Sequence, residues 1–476
     1  MKFIGREREL SLLRGLTQKK SASLVVIKGR RRIGKSRLIQ EFGKEFKTCT
    51  FTGLPPTEQS TNQSQLDEFS RQLSENFSLP RMQFADWGDL FSFLGTLTQE
   101  GKILIVFDEI SWIGTKDHDF LGKIKNLWDL KLSRNPHLMF ILCGSISSWI
   151  DHHILKSTGF VGRISATLTL GELSLQESNQ FFGPHREKLS DYEKLKILSI
   201  TGGVPKYLEE IRPQLSAEEN VKNLCFSPSG YLFHEFDRLF HDVFIRKSSF
   251  YKSALEILVD GPKSPKDICD QLDTVLNSAT SAYLDELAQA GFIQRDYIWH
   301  MGSKKPSKLS HYRLKDNYVR FYLKYIRPNA QKIENNAFED KSIGSLPGWS
   351  SILGLQFENL VLNNRQLIWK LLHIHPQDIV WDNPFFQTKS SKRDGCQIDY
   401  LIQTKYSNLY VCEIKFLLTE VKADIVPEVS SKIKALQIPR GFSYRPVLIH
   451  VNGVDEKVLD LDYFSDIISF GNLLHA

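Results

Sequence analysis

The stretch Gly29-Arg30-Arg31-Arg32-Ile33-Gly34-Lys35-Ser36 decides the fold of the N-terminal part of this 476-residue chain. It fits the pattern GxxxxGK[ST], in which the glycines let the backbone wrap closely around phosphate oxygens while backbone amides point inward at them. The apolar run Leu24–Ile27 precedes the loop, and the segment after it has one apolar helical face made by Leu38, Ile39 and Phe42. The order strand, phosphate-binding loop and helix is therefore expected, with a glycine-rich surface turn as the alternative.

Each position within this pattern has its own chemistry. Gly29 and Gly34 bring the backbone close to a bound nucleotide, and Lys35 reaches its β- and γ-phosphates. The Ser36 hydroxyl is a ligand of the Mg²⁺ ion that bridges those phosphates. ATP and Mg²⁺ are therefore the predicted cofactors.

Two other apolar runs end in polar residues that suit nucleotide hydrolysis. Ile103–Phe107 leads into Asp108, expected to support Mg²⁺, and Glu109, expected to polarise the attacking water as a catalytic residue. Leu138–Leu142 leads to Ser145, whose side chain is expected to sense the γ-phosphate. The alternatives are a solvated strand end for the acidic pair and a helix N-cap for the serine.

Continuous apolar runs of strand length suit strands that are buried on both faces, as in a parallel sheet with crossover helices. The predicted fold class is α/β, and the length favours about three domains. After the predicted sheet, the sequence pattern is helical and then indicates a compact unit. A polar segment without periodicity follows, and after it the sequence again alternates strand-like and helical stretches. The predicted boundaries are 1–165 for the sheet domain, 166–246 for a helical lid, 247–326 for the compact unit, 327–350 for a linker and 351–476 for the last domain.

The N-terminal motifs together resemble the archaeal-type P-loop ATPases of the AAA+/STAND group, which also occur in bacteria. The residues that carry the resemblance are Phe3–Leu10, Gly29–Ser36, Phe107–Glu109, Gly144-Ser145 and Gly202–Tyr207. The resemblance covers about residues 1–326 and implies ATP binding and hydrolysis by a sheet domain with a helical lid. It also implies that Pro205 of the lid lies near the nucleotide.

Several arginines are candidates for neutralising the charge that develops in the transition state of hydrolysis. Arg163 lies where the family often carries an arginine and is the candidate arginine finger, with a solvated basic residue as the alternative. Arg6 and Arg30–Arg32 are further candidates, and the loop arginines have salt bridges within the nucleotide domain as their alternative role.

Residues 247–326 show the order of three helices and a hairpin, which resembles a winged helix. The would-be recognition helix Asn277–Ala290 has no Lys or Arg, which argues against reading of the DNA major groove by it. Positive charge gathers at the proposed wing, where it could follow a DNA backbone, at Lys304, Lys305 and Lys308, flanked by Arg295, His311 and Arg313. A packing or partner-docking module is the alternative.

The last domain contains carboxylates and a lysine at strand positions. Asp399 lies on one strand-like run, and Glu413 and Lys415 share a face of the next, because residues two apart on a strand point the same way. Two carboxylates can bind one or two Mg²⁺ ions, and a neighbouring lysine can orient or deprotonate the water that attacks a phosphodiester. Glu358, on a predicted helix, is a further candidate metal ligand.

This set resembles the restriction-endonuclease-like PD-(D/E)xK superfamily over roughly residues 351–455, a fold that occurs at the C-terminus of the ATPase family. The resemblance implies a metal-dependent nuclease with Asp399, Glu413 and Lys415 as catalytic residues. No proline precedes Asp399, since Ile398 stands there, and a degenerate domain kept for nucleic-acid binding is the alternative. Further positive charge, suited to phosphate or to a solvated loop, precedes the aspartate at Lys389, Lys392 and Arg393.

Composition excludes several classes of protein. Lys and Arg total 61 against 55 Asp and Glu, so the net charge of +6 permits a phosphate-rich partner without requiring one. The six cysteines form no CxxC pair, which favours reduced thiols over a disulfide framework or a zinc site. The longest apolar run, Leu138–Cys143, is far shorter than the ~18 residues needed to span a bilayer, and the N-terminus lacks the apolar core of a signal peptide. A soluble cytoplasmic protein is expected.

The leading prediction is an ATP-binding and ATP-hydrolysing protein whose nucleotide state regulates a C-terminal, Mg²⁺-dependent DNA nuclease. The predicted partners are ATP and DNA, with a homo-oligomer as a further prediction and no membrane. The alternative is a nucleotide-switched DNA- or protein-binding signalling ATPase with an inactive nuclease-like domain.

Overall fold

The structure is a computed structural model that describes residues 2–55, 57, 59–114, 116–145, 147–243, 248–338, 341–389 and 394–476. The chain folds into two compact units, Met1–Glu172 and Leu173–Ala476. Within the described parts of the chain, no helix is both long and apolar enough to cross a membrane.

The first unit is built on a parallel sheet made from the apolar runs of the sequence. Its strands are β1 Ser23–Lys28, β2 Lys47–Thr52, β3 Ile103–Asp108, β4 Met139–Gly144 and β5 Ile164–Thr169. In space the order is β2-β3-β4-β1-β5, and each neighbouring pair is parallel. The central strands β1, β3 and β4 are buried almost throughout, as strands covered on both faces must be. The predicted α/β fold class is confirmed for this unit.

Strand β5 explains why the first unit extends beyond the predicted boundary at residue 165. It lies at the edge of the sheet beside β1, and most of its residues are half-buried or exposed. Its sequence, Ile-Ser-Ala-Thr-Leu-Thr, has no continuous apolar run, so it carries no signal of burial on both faces. The predicted boundary therefore cuts through a strand.

The helices of the first unit cover both faces of the sheet. They are α1 Glu7–Leu16, α2 Lys35–Gly43, α3 Asn62–Phe77, α4 Trp87–Leu97, α5 Ile110–Ile113, α6 Phe120–Leu130 and α7 Ser147–Ile150. Leu10 and Leu38 share one buried core with Val25, whereas Phe69 shares the opposite core with Leu24. Because successive side chains of a strand point to opposite faces, β1 contributes to both cores.

The second unit begins with helices and a hairpin in the predicted order. The helices are α8 Leu175–Asn179, α9 Asp191–Thr201, α10 Pro205–Glu209, α11 Ala217–Cys225, α12 Glu235–Val243, α13 Ser248–Ile257, α14 Pro265–Gln271 and α15 Ser278–Gln289. The strands β6 Ile293–His300 and β7 Lys305–Leu314 then pair antiparallel. The identity of this part as a winged helix stays a prediction.

A mixed sheet forms the C-terminal part of the second unit. The helices that precede it are α16 Asn317–Phe321, α17 Ala330–Glu334, α18 Trp349–Asn363 and α19 Arg365–Leu371. The sheet and its helices are β8 Ile379–Gln387, β9 Cys396–Thr404, β10 Asn408–Lys415, α20 Ile425–Ala435, β11 Ser443–His450, α21 Glu456–Asp460, β12 Asp466–Ser469 and α22 Phe470–His475. Strands β8, β9 and β10 pair antiparallel, and β10, β11 and β12 pair parallel.

The segment 327–350, for which the sequence predicts a linker, is packed in the structure. Short helical turns and α17 run through it, and its apolar side chains enter the core formed by the preceding helices. The buried residues are Ile333, Phe338, Ile343, Leu346 and Trp349. Their irregular spacing follows the short turns, so it produces neither helical nor strand periodicity in the sequence.

One apolar core joins the first helices of the second unit to its C-terminal sheet. Leu195 and Leu198 of α9 lie in the same buried cluster as Phe357 and Leu360 of α18 and Ile449 of β11. The predicted lid and the predicted last domain are therefore not separate cores. The finer boundaries at residues 246, 326 and 350 stay predictions.

Candidate nucleotide and carboxylate sites

The phosphate-binding loop lies between β1 and α2, and its two glycines adopt conformations that other residues rarely adopt. Gly29 has a φ of 153° and Gly34 a φ of 88°. A Cβ atom on Gly29 would lie 2.5 Å from the carbonyl oxygen of Leu170. Only glycine fits at this position, and α2 begins directly after Gly34, which leaves the first backbone amides of the helix beside the loop.

The Lys35 ammonium is held by the loop itself. Its Nζ donates to the carbonyl oxygens of Gly29 at 2.8 Å and Arg30 at 3.0 Å, and the side chain is buried. A buried ammonium needs acceptors, and charged phosphate oxygens are stronger acceptors than neutral carbonyls. This position fits the predicted contact of Lys35 with nucleotide phosphates.

Ser36 and Asp108, the predicted Mg²⁺ ligands of this site, are in direct contact. Ser36 Oγ donates to Asp108 Oδ2 at 3.0 Å, although the two residues are 72 positions apart in the sequence. A hydroxyl and a carboxylate oxygen are the hard ligands that Mg²⁺ prefers. These two residues could therefore hold the ion that accompanies a nucleotide.

Glu109 and Ser145, the predicted catalytic residue and sensor, are also brought together. The Glu109 carboxylate accepts hydrogen bonds from the Ser145 hydroxyl and, at 3.2 Å, from the Ser145 amide. Glu109 itself has a φ of 50°, an unusual value for a residue with a side chain. The parallel strands β3 and β4 end at the same edge of the sheet, which explains how residues distant in sequence meet here.

Arg163, the candidate arginine finger, forms a bidentate ion pair within the first unit. Its Nε and Nη2 donate to the two carboxylate oxygens of Asp129 at 2.7 and 2.8 Å. These hydrogen bonds lower the pKa of Asp129 to about 2. In this conformation the guanidinium is engaged with a carboxylate of α6, and its role as a finger stays a prediction.

Arg6 and Arg30 make structural contacts in this unit. Arg6 is buried and donates to the carbonyl oxygen of Ile33 in the phosphate-binding loop at 3.0 Å and to that of Gly171. Arg30 forms an ion pair of 3.0 Å with Glu172. The structure thus favours the salt-bridge alternative for Arg30 and shows Arg6 as a support of the loop.

Pro205 is the first residue of α10 in the second unit. The turn before it packs closely, because a Cβ atom on Gly203 would lie 2.1 Å from the carbonyl oxygen of Leu173. The Leu173 amide also donates to the Gly203 carbonyl at 2.7 Å. The contact of Pro205 with a nucleotide stays a prediction.

The carboxylates of the C-terminal sheet come from separate elements. Glu358 lies on α18, Asp399 on β9 and Glu413 on β10. Asp399 Oδ2 accepts a hydrogen bond from the Ile414 amide at 2.9 Å, so the aspartate reaches the strand that carries Glu413. Glu413 is buried, with 5% of its surface exposed, while Glu358 and Asp399 are half-buried.

The pKa values of these carboxylates show that they act on one another. Burial, together with the charge of Glu358, raises the pKa of Asp399 to about 7. Burial, together with the charge of Asp399, raises the pKa of Glu413 to about 7. The pKa of Glu358 is raised as well, mainly by burial. Such raised values are typical of functional sites, although structural clusters also produce them.

A lysine that the sequence interpretation missed contacts this cluster. Lys432 of α20 donates to both carboxylate oxygens of Glu413, at 2.7 and 2.6 Å. Lys415, the predicted lysine, instead donates to Glu428 of α20 at 3.0 and 2.9 Å. The signal that could have found Lys432 is its place on an amphipathic helix beside the buried Ile433, which brings the lysine to the edge of the apolar face.

Carboxylate oxygens suit Mg²⁺ chemically, and a cation would relieve the repulsion between Asp399 and Glu413. Among the residues that the structure describes, however, no group of three or more His, Cys, Asp or Glu side chains is arranged to hold a metal ion. In this conformation the Lys432 ammonium supplies the positive charge beside Glu413. Metal binding by Glu358, Asp399 and Glu413 stays a prediction.

The hairpin proposed as a wing packs against the C-terminal sheet. Trp299 of β6 stacks on Trp381 of β8 with 5.7 Å between ring centroids, and Trp381 Nε1 donates to the Lys304 carbonyl at 2.9 Å. Lys304 Nζ donates to the Lys405 carbonyl at 3.1 Å. These contacts fit the packing-module alternative, while Lys305 and Lys308 stay exposed.

The basic residues that flank this hairpin are engaged inside the unit. Buried Arg313 donates to Asp296 at 2.9 Å, and Arg365 of α19 contacts the same carboxylate at 3.1 Å. His311 stacks on a phenylalanine, and Arg295 donates to a serine at 3.0 Å. Arg313, which is buried and paired with Asp296, is therefore not available to a DNA backbone. Of the three basic residues before Asp399, Lys389 is exposed, and Lys392 and Arg393 lie outside the described residues.

Known proteins are similar to this chain over large parts of its length. A protein of Methanocaldococcus jannaschii, described as uncharacterized, is 26% identical over 362 residues, which cover 75% of this chain and 76% of the relative. Among solved structures, a Walker-type ATPase of Pyrococcus abyssi has a TM-score of 0.48 at 18% identity, covering 67% of this chain and 96% of its own. The ORC2 protein of Aeropyrum pernix, in its ADPNP–ADP complexes, has a TM-score of 0.44 at 16% identity, covering 70% and 96%.

A protein-family match covers the part of the chain that contains the phosphate-binding loop. Residues 3–211 match the family described as an ATPase domain predominantly from Archaea. The match includes Lys35, Ser36, Asp108 and Glu109, whose geometry suits nucleotide binding and hydrolysis. Residues 3–211 are therefore similar to the ATPase domains found predominantly in Archaea.

Proposed function

We propose that ATP binding and hydrolysis by the N-terminal domain regulate a Mg²⁺-dependent DNA nuclease site at Asp399 and Glu413. The observation that carries this proposal is the convergence of the two carboxylates from adjacent strands beside a lysine. Burial, together with the charge of a neighbouring carboxylate, raises the pKa of each to about 7. A divalent cation between such groups and a phosphodiester is the arrangement used by many nucleases.

The order of elements around the carboxylates supports the likeness to the PD-(D/E)xK superfamily. Two helices, three antiparallel strands, a further helix and a parallel strand follow one another as α18, α19, β8, β9, β10, α20 and β11. Asp399 and Glu413 lie on the second and third of these strands, as the superfamily pattern requires. Ile398 remains the departure from that pattern.

The proposed reaction is hydrolysis of a phosphodiester. The oxygen of a water molecule forms a bond to phosphorus, one ester P–O bond breaks, and the leaving sugar oxygen takes up a proton. Bound Mg²⁺ would stabilise the charge that develops on the phosphate oxygens. Asp399 and Glu413 would hold the ion, and the neighbouring lysine would orient the carboxylate or the water.

The shared core of the second unit offers a route for regulation. Helices α8 and α9 belong to the same apolar core as the C-terminal sheet, and Asn179 of α8 donates to the carbonyl of Leu474 in α22 at 3.2 Å. A displacement of α8 or α9 would therefore be transmitted to the sheet, because packed cores resist independent movement.

The test is incubation of the full chain with Mg²⁺ or Mn²⁺ and single-stranded, duplex or branched DNA, with and without ATP. We expect metal-dependent nicking that changes with ATP and is lost by at least ~100-fold in Asp399→Ala and Glu413→Ala, with ATP hydrolysis retained. Asp460→Ala, which changes an exposed carboxylate of α21, is the matched control. Nicking that survives both site substitutions would contradict the proposal.

A second candidate function is a nucleotide-switched protein that binds DNA or a protein partner, or assembles into a homo-oligomer, without nuclease turnover. The pairing of Lys415 with Glu428 favours it, because the predicted catalytic lysine contacts a different carboxylate. This function predicts assembly or partner binding that depends on ATP, measured by light scattering, and no nicking of any of the DNA substrates.

A further inference from the structure

Four charged side chains form an alternating row along β10 and α20. Glu413 contacts Lys432 at 2.6 Å, Lys432 contacts Glu428 at 3.6 Å, and Glu428 contacts Lys415 at 2.9 Å. Glu428 and Lys432 are one helical turn apart on α20, so the helix itself sets their spacing. Along this row, Lys415 is separated from Glu413 by two other side chains, those of Glu428 and Lys432.

The two lysines of the row have different environments because their partners differ in burial. The Glu413 side chain is 6% exposed, whereas the Glu428 side chain is 43% exposed. An ion pair with a buried partner is screened less by water, so the Lys432–Glu413 contact is the stronger electrostatic interaction.

We propose that Lys432 of α20, rather than Lys415 of β10, is the lysine that serves the Asp399–Glu413 site; the proposal rests on the proposed nuclease function. Lys432 is a positioning residue, because it acts through Glu413. It contacts both oxygens of that carboxylate and thereby fixes its orientation. Glu428 keeps Lys415 at the exposed end of the row.

The packing of α20 explains how a helical residue reaches this site. Ile425, Val429 and Ile433 are buried in the core that also contains Ile398 and Leu401 of β9. Lys432 directly precedes Ile433, so the packing of Ile433 in the core places the Lys432 side chain close to the strands. A lysine placed by a packed helix is held as firmly as one placed by a strand.

The activity test compares Lys432→Met, Lys415→Met and Lys432→Arg in the full chain with Mn²⁺ and DNA. We expect Lys432→Met to lower the nicking rate by at least ~100-fold and Lys415→Met by no more than about fivefold. Lys432→Arg should retain activity within about tenfold of the original chain, because a guanidinium also donates two hydrogen bonds to a carboxylate. A larger loss in Lys415→Met than in Lys432→Met would overturn the proposal.

A second readout needs neither metal nor DNA. Urea unfolding of Lys432→Met, Glu413→Gln and the double variant gives the coupling between the two side chains, and Lys415→Met with Glu428→Gln gives the matched comparison. We expect at least a fivefold non-additivity in the unfolding equilibrium constant for the first pair, and less than about twofold for the second. Equal coupling in the two pairs would overturn the proposal.

The two measurements separate failure of this proposal from failure of the nuclease function. Nicking that depends on Lys415 and not on Lys432 overturns the assignment of the lysine and leaves the nuclease function intact. No nicking by any form of the chain, with ATP hydrolysis retained, overturns the nuclease function and this proposal with it, even where the Lys432–Glu413 coupling is strong.

Discussion

The phosphate-binding loop and the carboxylate site both gather charged groups at strands, but they are assembled in different ways. In the loop, Lys35 is held by backbone carbonyls of its own motif, and Ser36 meets a residue at the end of β3. In the carboxylate site, Asp399 and Glu413 come from adjacent strands, and their lysine comes from a helix further along the chain.

A short sequence motif can specify a site of the first kind but not one of the second. The loop depends on backbone conformation, which the two glycines fix locally, and its charged residue follows within the motif. The carboxylate site depends on charge balance between side chains from α18, β9, β10 and α20, and a local pattern such as Glu-x-Lys does not report which cation is nearest. Substitutions in each region test this contrast.

The largest expected effect is the loss of ATP hydrolysis in Lys35→Met. Removing the ammonium that the loop holds deprives the transferring phosphate of a positive charge, so hydrolysis should fall by at least ~100-fold in a phosphate-release assay. Nicking in the absence of ATP should continue, because Lys35 belongs to the other site.

Lys44→Met is the control for this substitution, since Lys44 is an exposed lysine just beyond the same helix. An equal loss of hydrolysis in both variants would contradict a specific role of Lys35 in ATP hydrolysis.

An intermediate effect is expected for the pH dependence of stability in Asp399→Asn. Because the folded pKa of Asp399 is about 7 and the unfolded value is about 3.9, the folded chain binds this proton more tightly, and ionisation destabilises the fold as the pH rises from ~4 to ~7. Asparagine keeps an acceptor for the Ile414 amide but does not ionise. In EDTA, we expect the Tm of the variant to exceed that of the original chain by about 2–4 °C at pH 8.

The Tm difference should shrink steadily as the pH is lowered toward 4, where Asp399 is protonated in the folded chain. A difference that stays constant between pH 8 and pH 4 would show that the pKa of Asp399 is not raised in the folded chain. The carboxylate site would then lack the uncompensated negative charge that distinguishes it from the phosphate-binding loop.

The smallest expected effect is that of Arg163→Ala. An arginine finger contributes about 10³-fold or more to hydrolysis, whereas an arginine held by Asp129 contributes mainly a surface ion pair. We expect hydrolysis to change by less than about threefold and the Tm to fall by about 1–2 °C. A loss of hydrolysis near 10³-fold would restore the arginine as a finger and show that the ion pair opens during turnover.

The sequence could predict that the residues of the candidate nucleotide site come together, because their positions follow from a parallel sheet. Asp108 and Ser145 end neighbouring strands, and parallel strands end at the same edge, so Ser36, Asp108, Glu109 and Ser145 meet wherever that sheet forms. The central apolar runs were equally informative, whereas the half-exposed edge strand β5 was not.

The role of the hairpin, the lysine of the carboxylate site and the packing of residues 327–350 could not be predicted, because they depend on tertiary contacts that leave no local sequence pattern. Lys304 offers its carbonyl to Trp381 and its ammonium to the Lys405 carbonyl, yet in the sequence it is one of several wing lysines. Lys432 is similar, since its nearest carboxylate is 19 residues away and on another element. The segment 327–350 is buried through single apolar residues on short turns, for which no periodicity exists.

The common core of α9, α18 and the C-terminal sheet determines how the second unit can be divided. A fragment that starts at residue 351 would carry Phe357 and Leu360 but lack Leu195 and Leu198, their partners in the same cluster. Its exposed apolar face would favour aggregation over folding. Limited proteolysis should therefore release the second unit, Leu173–Ala476, as one fragment. Recombination between genes would be expected to transfer this unit as a whole.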